Sequence, residues 1–343
     1  ADWGSMVREN ATLISFGDIS PLIPSAAISL LTVGVNFVVD WMLRTLCDAG
    51  LAEPVEGEPP RYRLEDHDLG RWDEGVGDEV RAAYALAELA ASAYPAFLRG
   101  DTGGEEALLS AETMELWGRY FSNRNLLYGV NNAVAAEAVA RWAPPGPLRI
   151  LELGAGLGSA ADALLERLET GGRLDRVTSY RFTDVALPFL RRGGRAVRGR
   201  WGDQVDLSIA RVDLDEPLGD QGVEPASQDV VWAVNTLHVA RDLEASLAEI
   251  HRALAPEGTL VLGECIRPFP LQPLPPELVF NLFESFRTPR PGRDLQGGFL
   301  TPEEWVSALE GAGFDGVTVY PDIAHLREHL PTFNVAAVVG VKG

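Results

Sequence analysis

The stretch Ile150–Ala160, ILELGAGLGSA, constrains this chain more than any other. Apolar Leu148, Ile150, Leu151 and Leu153 read as a buried parallel strand. It breaks into Gly154, Gly156 and Gly158 and passes at once into a helical stretch, Ala160–Leu168. Glycines are needed where a strand turns tightly into a helix and a ligand lies against bare backbone. The helix start adds free N–H groups and a positive dipole end, which suit an anionic group. The spacing is G-x-G-x-G, with Ser159 where a dinucleotide fingerprint wants its third glycine. That favours a nucleoside bearing a carboxylate over one bearing a pyrophosphate.

The later strands repeat the pattern. A second strand, Val177–Thr183, ends in Asp184, placed at its carboxyl end to accept from ribose hydroxyls. A third, Leu207–Val212, closes on Asp213, where such folds often hold an adenine amino group. A fourth, Asp229–Val234, ends at Asn235. All these strand ends deliver polar groups to one edge of a sheet, as the switch-point rule requires. The joint pattern resembles motif I and its companions in class I S-adenosylmethionine-dependent methyltransferases. The resemblance implies S-adenosylmethionine as cofactor, held by Glu152, Gly154, Gly156, Gly158, Asp184, Asp213 and Asn235.

At 343 residues, two structural units are expected. With 29 basic against 50 acidic residues the net charge is −21, a field that repels a phosphate backbone and argues against nucleic acid as partner. Cys47 and Cys265 both sit in apolar surroundings, which suits a reducing cytoplasm and neither a disulfide framework nor a thiolate metal site. No basic segment followed by an apolar one opens the chain, and Ala1–Met6 reads as an expression remnant. The longest apolar stretch, Ala26–Val39, is interrupted by Ser29, Thr32, Gly34 and Asn36 and is too short for a membrane span.

The chain divides near Ala143–Pro147, giving a mostly helical unit over 7–143 and an α/β unit over 148–343. In the first, a helix over Asn36–Gly50, a turn and the strand Arg61–Leu64 resemble a winged helix, read at this charge as a structural or dimerising module. Helices are expected over Val80–Ala93, Ala107–Leu116 and Asn131–Trp142. Tyr120, Phe121, Arg124 and Tyr128 then form either a lid over the cofactor or interdomain packing. The second unit alternates strands and helices, so the fold class is a doubly wound, Rossmann-like, mostly parallel sheet. Helix Asp242–Ala255, turn Pro256–Gly258 and strand Thr259–Glu264 lead to a Pro-rich segment over 267–300, apolar at Leu278–Phe286, expected to cover the substrate. Helix Pro302–Gly311 and strands Val317–Tyr320 and Phe333–Val341 close the sheet.

His238 follows the fourth strand in NTLHVARD, and Glu264 ends the fifth in LVLGECIR. Neighbouring strands bring both side chains to one pocket, where a carboxylate fixes the imidazole tautomer and makes a general base. Residues 230–264, with YRFTDVALPFL and TPEEWVSALEGAGF, are similar to the carbon-methyltransferase domains of polyketide synthases, over nearly the whole chain. That resemblance implies a catalytic dyad, His238 and Glu264. It also implies methylation of the α-carbon of a malonyl or β-ketoacyl thioester on an acyl carrier protein. The chain carries no carrier, ketosynthase or reductase sequence, so a free-standing enzyme or one domain of a synthase is expected.

Arg191, Arg192, Arg195, Arg198 and Arg200 stand out in an acidic chain. They form either a dock for an acidic carrier protein and its phosphopantetheine phosphate or a solvated helix end. Some relatives hold a metal near this pocket, and His238, Glu264, Asp294, Gln296 and the pair His325/His329 include enough ligands for one, although no metal is expected. Three competing functions remain: a small-molecule O-methyltransferase, a metal-dependent loading-module methyltransferase and an inactive scaffold.

Overall fold

The computed structural model describes residues 43, 46–47, 52–55, 61–64, 76–270, 272–287 and 298–343. Two compact units divide between Gly70 and Arg71. In the first, β1 (Ala52–Val55) pairs antiparallel with β2 (Arg61–Leu64). Of the helix expected before them, the described residues Leu43, Leu46 and Cys47 are helical.

The second unit opens with helices α1 (Asp78–Arg99), α2 (Gly104–Leu108), α3 (Met114–Tyr120) and α4 (Leu126–Trp142). The single helix expected over Ala107–Leu116 is thus two short ones. Thr113 Oγ1 and Trp117 Nε1 both donate to the Leu108 carbonyl, each at 2.7 Å, and so compete with the helical ladder there. Strand and helix then alternate as β3 (Leu148–Leu153), α5 (Ser159–Thr170), β4 (Val177–Asp184), α6 (Leu187–Trp201) and β5 (Leu207–Arg211). They continue as β6 (Gln228–Val234), α7 (Leu243–Ala253), β7 (Leu254–Cys265), α8 (Glu277–Phe280) and α9 (Glu284–Arg287). The unit ends with α10 (Pro302–Gly311), β8 (Phe314–Tyr320), α11 (Ile323–His329) and β9 (Val335–Lys342).

The sheet order is β5-β4-β3-β6-β7-β9-β8, parallel from β5 through β7 and antiparallel at the last two pairings. β6 shows why these residues make a central strand. Val230, Val231, Trp232, Ala233 and Val234 are buried in succession, the continuous apolar run that a sheet covered on both faces demands. Chain order reverses at β3, whose neighbours are β4 and β6, so the carboxyl ends of these three strands open a crevice at the switch point.

One face of the sheet carries α4, α5 and α6, with Ala135, Val139, Leu164, Leu165, Val197 and Trp201 packed on Ile150, Phe182 and Trp232. The other carries α7 and α10, with Leu247, Ile250, Trp305 and Leu309 against Leu151, Leu260 and Leu262. Each fully buried aliphatic side chain contributes about 1.5–3 kcal/mol, so both layers are needed. Helix α4 therefore shares the core of the sheet. The division read near residues 143–147 separates α4 from β3 along the sequence, whereas the compact units part at Gly70.

Behind β7 the chain turns into the apolar segment that includes α8 and α9. Arg267 forms a buried two-point ion pair with Glu277, whose Oε2 also accepts from the Leu274 backbone at 2.9 Å. Tyr94 Oη donates to the Leu278 carbonyl at 2.9 Å, tying α1 to the same segment. The segment is held at both its base and its flank.

Candidate active site

The glycine turn after β3 has the backbone its sequence suggests. Gly154, Gly156 and Gly158 all take positive φ, at 66°, 54° and 87°. A Cβ on Gly154 would lie 2.3 Å from Thr236 Oγ1, and one on Gly158 would lie 2.6 Å from Val197 Cγ2. At Gly156 the nearest atom would be 4.0 Å away, so this glycine borders open space. Within α6, a Cβ on Gly193 would sit 2.4 Å from the Gly156 carbonyl oxygen, and that close approach explains a glycine inside an arginine-rich helix.

Around this turn lies a cavity of about 350 Å³, bordered by Gly154, Gly156, Leu157, Asp184, Asp213 and Asn235. Asp184 Oδ2 accepts from Gly156 N at 2.8 Å and its Oδ1 from Ala186 N at 2.7 Å. Burial raises its carboxyl above the ordinary value, against these two N–H bonds. Asp213 Oδ1 accepts from Asp215 N at 3.1 Å.

Two residues expected at the cofactor do not border this cavity. Gly158 caps α5 and packs on α6. Glu152 is buried beneath the turn, accepting from Tyr180 Oη at 2.8 Å and from the Ala161 N–H of the first turn of α5. Burial pushes its carboxyl up to about 8, so it is largely protonated at neutral pH.

A second cavity, of about 310 Å³, adjoins the first: Phe121, Tyr128, Phe189, Asn235, Val239 and Ser285 border both. It is lined by aromatic rings from two directions. Trp117, Tyr120, Phe121 and Tyr128 come from α3, α4 and the turn between them, and Phe280, Phe283, Phe286 and Phe299 from the chain between β7 and α10. The run FNLFESF, with phenylalanines at 280, 283 and 286, carried that signal in the sequence. Phe121 and Tyr128 border both cavities, while Arg124 is exposed.

His238 opens onto this second cavity from a single 3-10 turn, Leu237–Val239, after β6. Its Nδ1 lies 2.7 Å from Glu264 Oε2, and the two side chains are 6% and 0% exposed. The other carboxylate oxygen, Oε1, accepts from the backbone N–H of Thr236 at 3.2 Å and of Leu237 at 3.0 Å. Phe299 and Phe286 wall the imidazole at centroid distances of 4.9 and 5.9 Å. Asn235, at φ 50°, turns the chain here and accepts from Cys265 N at 2.9 Å through Oδ1. Tyr128 is hydrogen-bonded to Asn235, and burial holds its phenol well above the ordinary value.

The basic cluster on α6 divides. Arg200 pairs with Asp162 and Glu166 at 2.6 and 3.1 Å, and Arg198 reaches the Leu207 carbonyl at 3.4 Å. Arg191, Arg192 and Arg195 are exposed and have no carboxylate partner among the described residues. Ligand atoms of His325, Glu328 and His329 lie within 4.8 Å of one another on the exposed side of α11, in a group that does not include His238 or Glu264. Asp294 and Gln296 lie outside the described residues. Among the described residues, no helix is long and apolar enough to cross a membrane.

Residues 151–260 match a family model described as a methyltransferase domain. The chain contains a methyltransferase domain. It is 30% identical over 257 residues, 70% of its length, to the highly reducing polyketide synthase valA of Aspergillus terreus, of which the match covers 10%. Other synthases it matches are likewise far longer, with 6% and 14% of their length covered. Its fold is that of the carbon-methyltransferase (CMeT) domain of the citrinin polyketide synthase, with TM-score 0.67 and 22% identity over 89% of this chain and 78% of that one. The trans-methyltransferase CalH in complex with S-adenosylhomocysteine (SAH) has the same fold, with TM-score 0.58 and 23% identity over 77% of this chain and 69% of that one.

Proposed function

We propose that this methyltransferase uses S-adenosylmethionine to methylate the α-carbon of a malonyl or β-ketoacyl thioester carried by an acyl carrier protein. One observation carries the reading. A buried His–Glu pair faces an aromatic cavity that adjoins the cavity at the glycine turn, with Asn235 and Tyr128 between them.

The first cavity fits the cofactor. Its backbone is open at Gly156, it adjoins a helix start, and the carboxylates of Asp184 and Asp213 border it to accept from hydroxyl and amino groups. Bound there, S-adenosylmethionine supplies an electrophilic methyl group. The chain's own residues do the rest. Glu264 holds the Nδ1 proton of His238, which leaves Nε2 as a base for the α-proton. The C–H electron pair stays on the substrate carbon as the nucleophile, and the imidazolium formed is stabilised by the buried carboxylate. The aromatic walls exclude water, and catalysis rests largely on positioning.

Relatives are polyketide synthases, which supports a carrier-bound substrate. Arg191, Arg192 and Arg195 suit an acidic carrier because their charges are not neutralised within α6. The test is incubation with isotope-labelled cofactor and a thioester on a phosphopantetheinylated carrier, followed by mass spectrometry and carbon NMR. Label on the α-carbon supports the reading. Label on oxygen, or no transfer, overturns it.

A further inference from the structure

Asn131 takes no part in the dyad and does not border the cofactor cavity. It sits on α4 one turn after Tyr128, is 2% exposed, and lines the aromatic cavity with Tyr128, Asn235 and His238. Both its amide atoms, Oδ1 and Nδ2, are buried with no hydrogen-bond partner among the described residues. In the next residue only the carbonyl oxygen lacks a partner: Asn132 Nδ2 donates to Asn123 Oδ1 at 2.7 Å and to Ser159 Oγ at 3.2 Å. Buried amides are ordinarily paired, and an orphan beside a cavity calls for an explanation.

Two of the other polar atoms here are committed. His238 Nδ1 belongs to Glu264 and Asn235 Oδ1 to Cys265 N. Among the described lining residues there is no lysine or arginine. A carboxylate taken into such a wall needs a cation or several donors, whereas a carbonyl oxygen needs one neutral donor.

We propose that Asn131 is a specificity-determining residue. Its Nδ2 donates to the β-carbonyl oxygen of an uncharged 3-oxoacyl thioester and turns the α-carbon toward His238. The proposal rests on the acyl-thioester reading above. The oxygen it serves is one on which negative charge collects when the α-proton leaves, so the same hydrogen bond strengthens as the reaction proceeds.

The test compares the N-acetylcysteamine thioesters of 3-oxobutanoate and butanoate on the full chain, by calorimetry in the presence of S-adenosylmethionine. The wild-type chain is expected to prefer the 3-oxo compound. Asn131→Leu should lose that preference, binding the 3-oxo compound roughly 10- to 100-fold more weakly and butanoyl thioester within about twofold of wild type. Asn131→Ala removes the donor without adding bulk, so it should show the same loss if the leucine variant folds poorly. Cofactor affinity should not move in either. A folded variant that keeps the preference, or loses both thioesters equally, overturns the proposal, as does a wild-type chain with no preference. A wild-type chain that prefers the 3-oxo compound but leaves its α-carbon unmethylated overturns the transfer reaction alone.

Discussion

Glu264 uses its two carboxylate oxygens for two different elements: Oε2 meets His238 Nδ1 at 2.7 Å, while Oε1 accepts from the backbone of Thr236 and Leu237. One buried side chain on β7 thus fixes both the imidazole and the loop that presents it. In Glu264→Gln the amide oxygen is needed by the two backbone donors, so the NH2 group faces Nδ1. The ring is then held with its proton on Nε2, the wrong tautomer for a base. Methyl transfer should fall by roughly 10²–10⁴-fold, as in His238→Ala, with cofactor affinity nearly unchanged. Single-turnover rates beside calorimetry check this, and a glutamine variant near wild-type rate would show that the carboxylate does not set the tautomer.

Glu152 gives a pH dependence of stability. Its carboxyl is raised from 4.5 to about 8 in the folded chain. The folded state therefore holds a proton that the unfolded chain has released, and this group's contribution falls as pH rises from 4.5 toward 8 and is level above that. Glu152→Gln removes the titration and keeps an acceptor for Tyr180. The melting temperature of the variant relative to wild type should climb across that window. A difference that stays constant with pH would mean the carboxyl is not buried as described.

The apolar segment after β7 is anchored by the ion pair between Arg267 and Glu277, whose side chains are 6% and 5% exposed. Glu277→Gln leaves a guanidinium buried without its counter-charge, a change that typically costs about 3–5 kcal/mol. Replacing both with apolar residues, Arg267→Met with Glu277→Leu, should recover much of that loss. Denaturant melts measure the stability, and proteolysis within 272–287 should follow the same order.

Arg191→Glu with Arg195→Glu should slow methylation of a carrier-bound thioester and spare a small thioester analogue. Added salt should mimic the loss, because exposed charges act through long-range attraction. Equal loss on both substrates would make the cluster structural, and no loss on either would place the carrier elsewhere.

Much of the site was legible because it is local in sequence. The run from Leu148 to Ser159 encodes strand, turn and helix start together, and positive φ at all three glycines follows from that short-range chemistry. Asp184, Asn235, His238 and Glu264 were legible for a related reason. Each ends or follows a parallel strand, and parallel strands put their carboxyl ends on one edge. The long apolar runs of β6 and β7 announced burial on both faces without any partner being named.

Tertiary structure decided what depends on which side chain faces which neighbour. Glu152 stands one residue before Leu153 in the strand that opens the site, yet pairing with Tyr180 and the start of α5 keeps it in the core. At Gly158 the close approach of Val197 leaves no room for a Cβ. No pattern in the sequence told that α4 would lie on the sheet beside α5. Nor did any pattern show that Phe280, Phe283 and Phe286 would meet Phe299 and Trp117 over His238, or that Asn131 would face a cavity while the Asn132 amide nitrogen was paired. Those outcomes depend on contacts between segments far apart along the chain, and they are settled only when the layers close on one another.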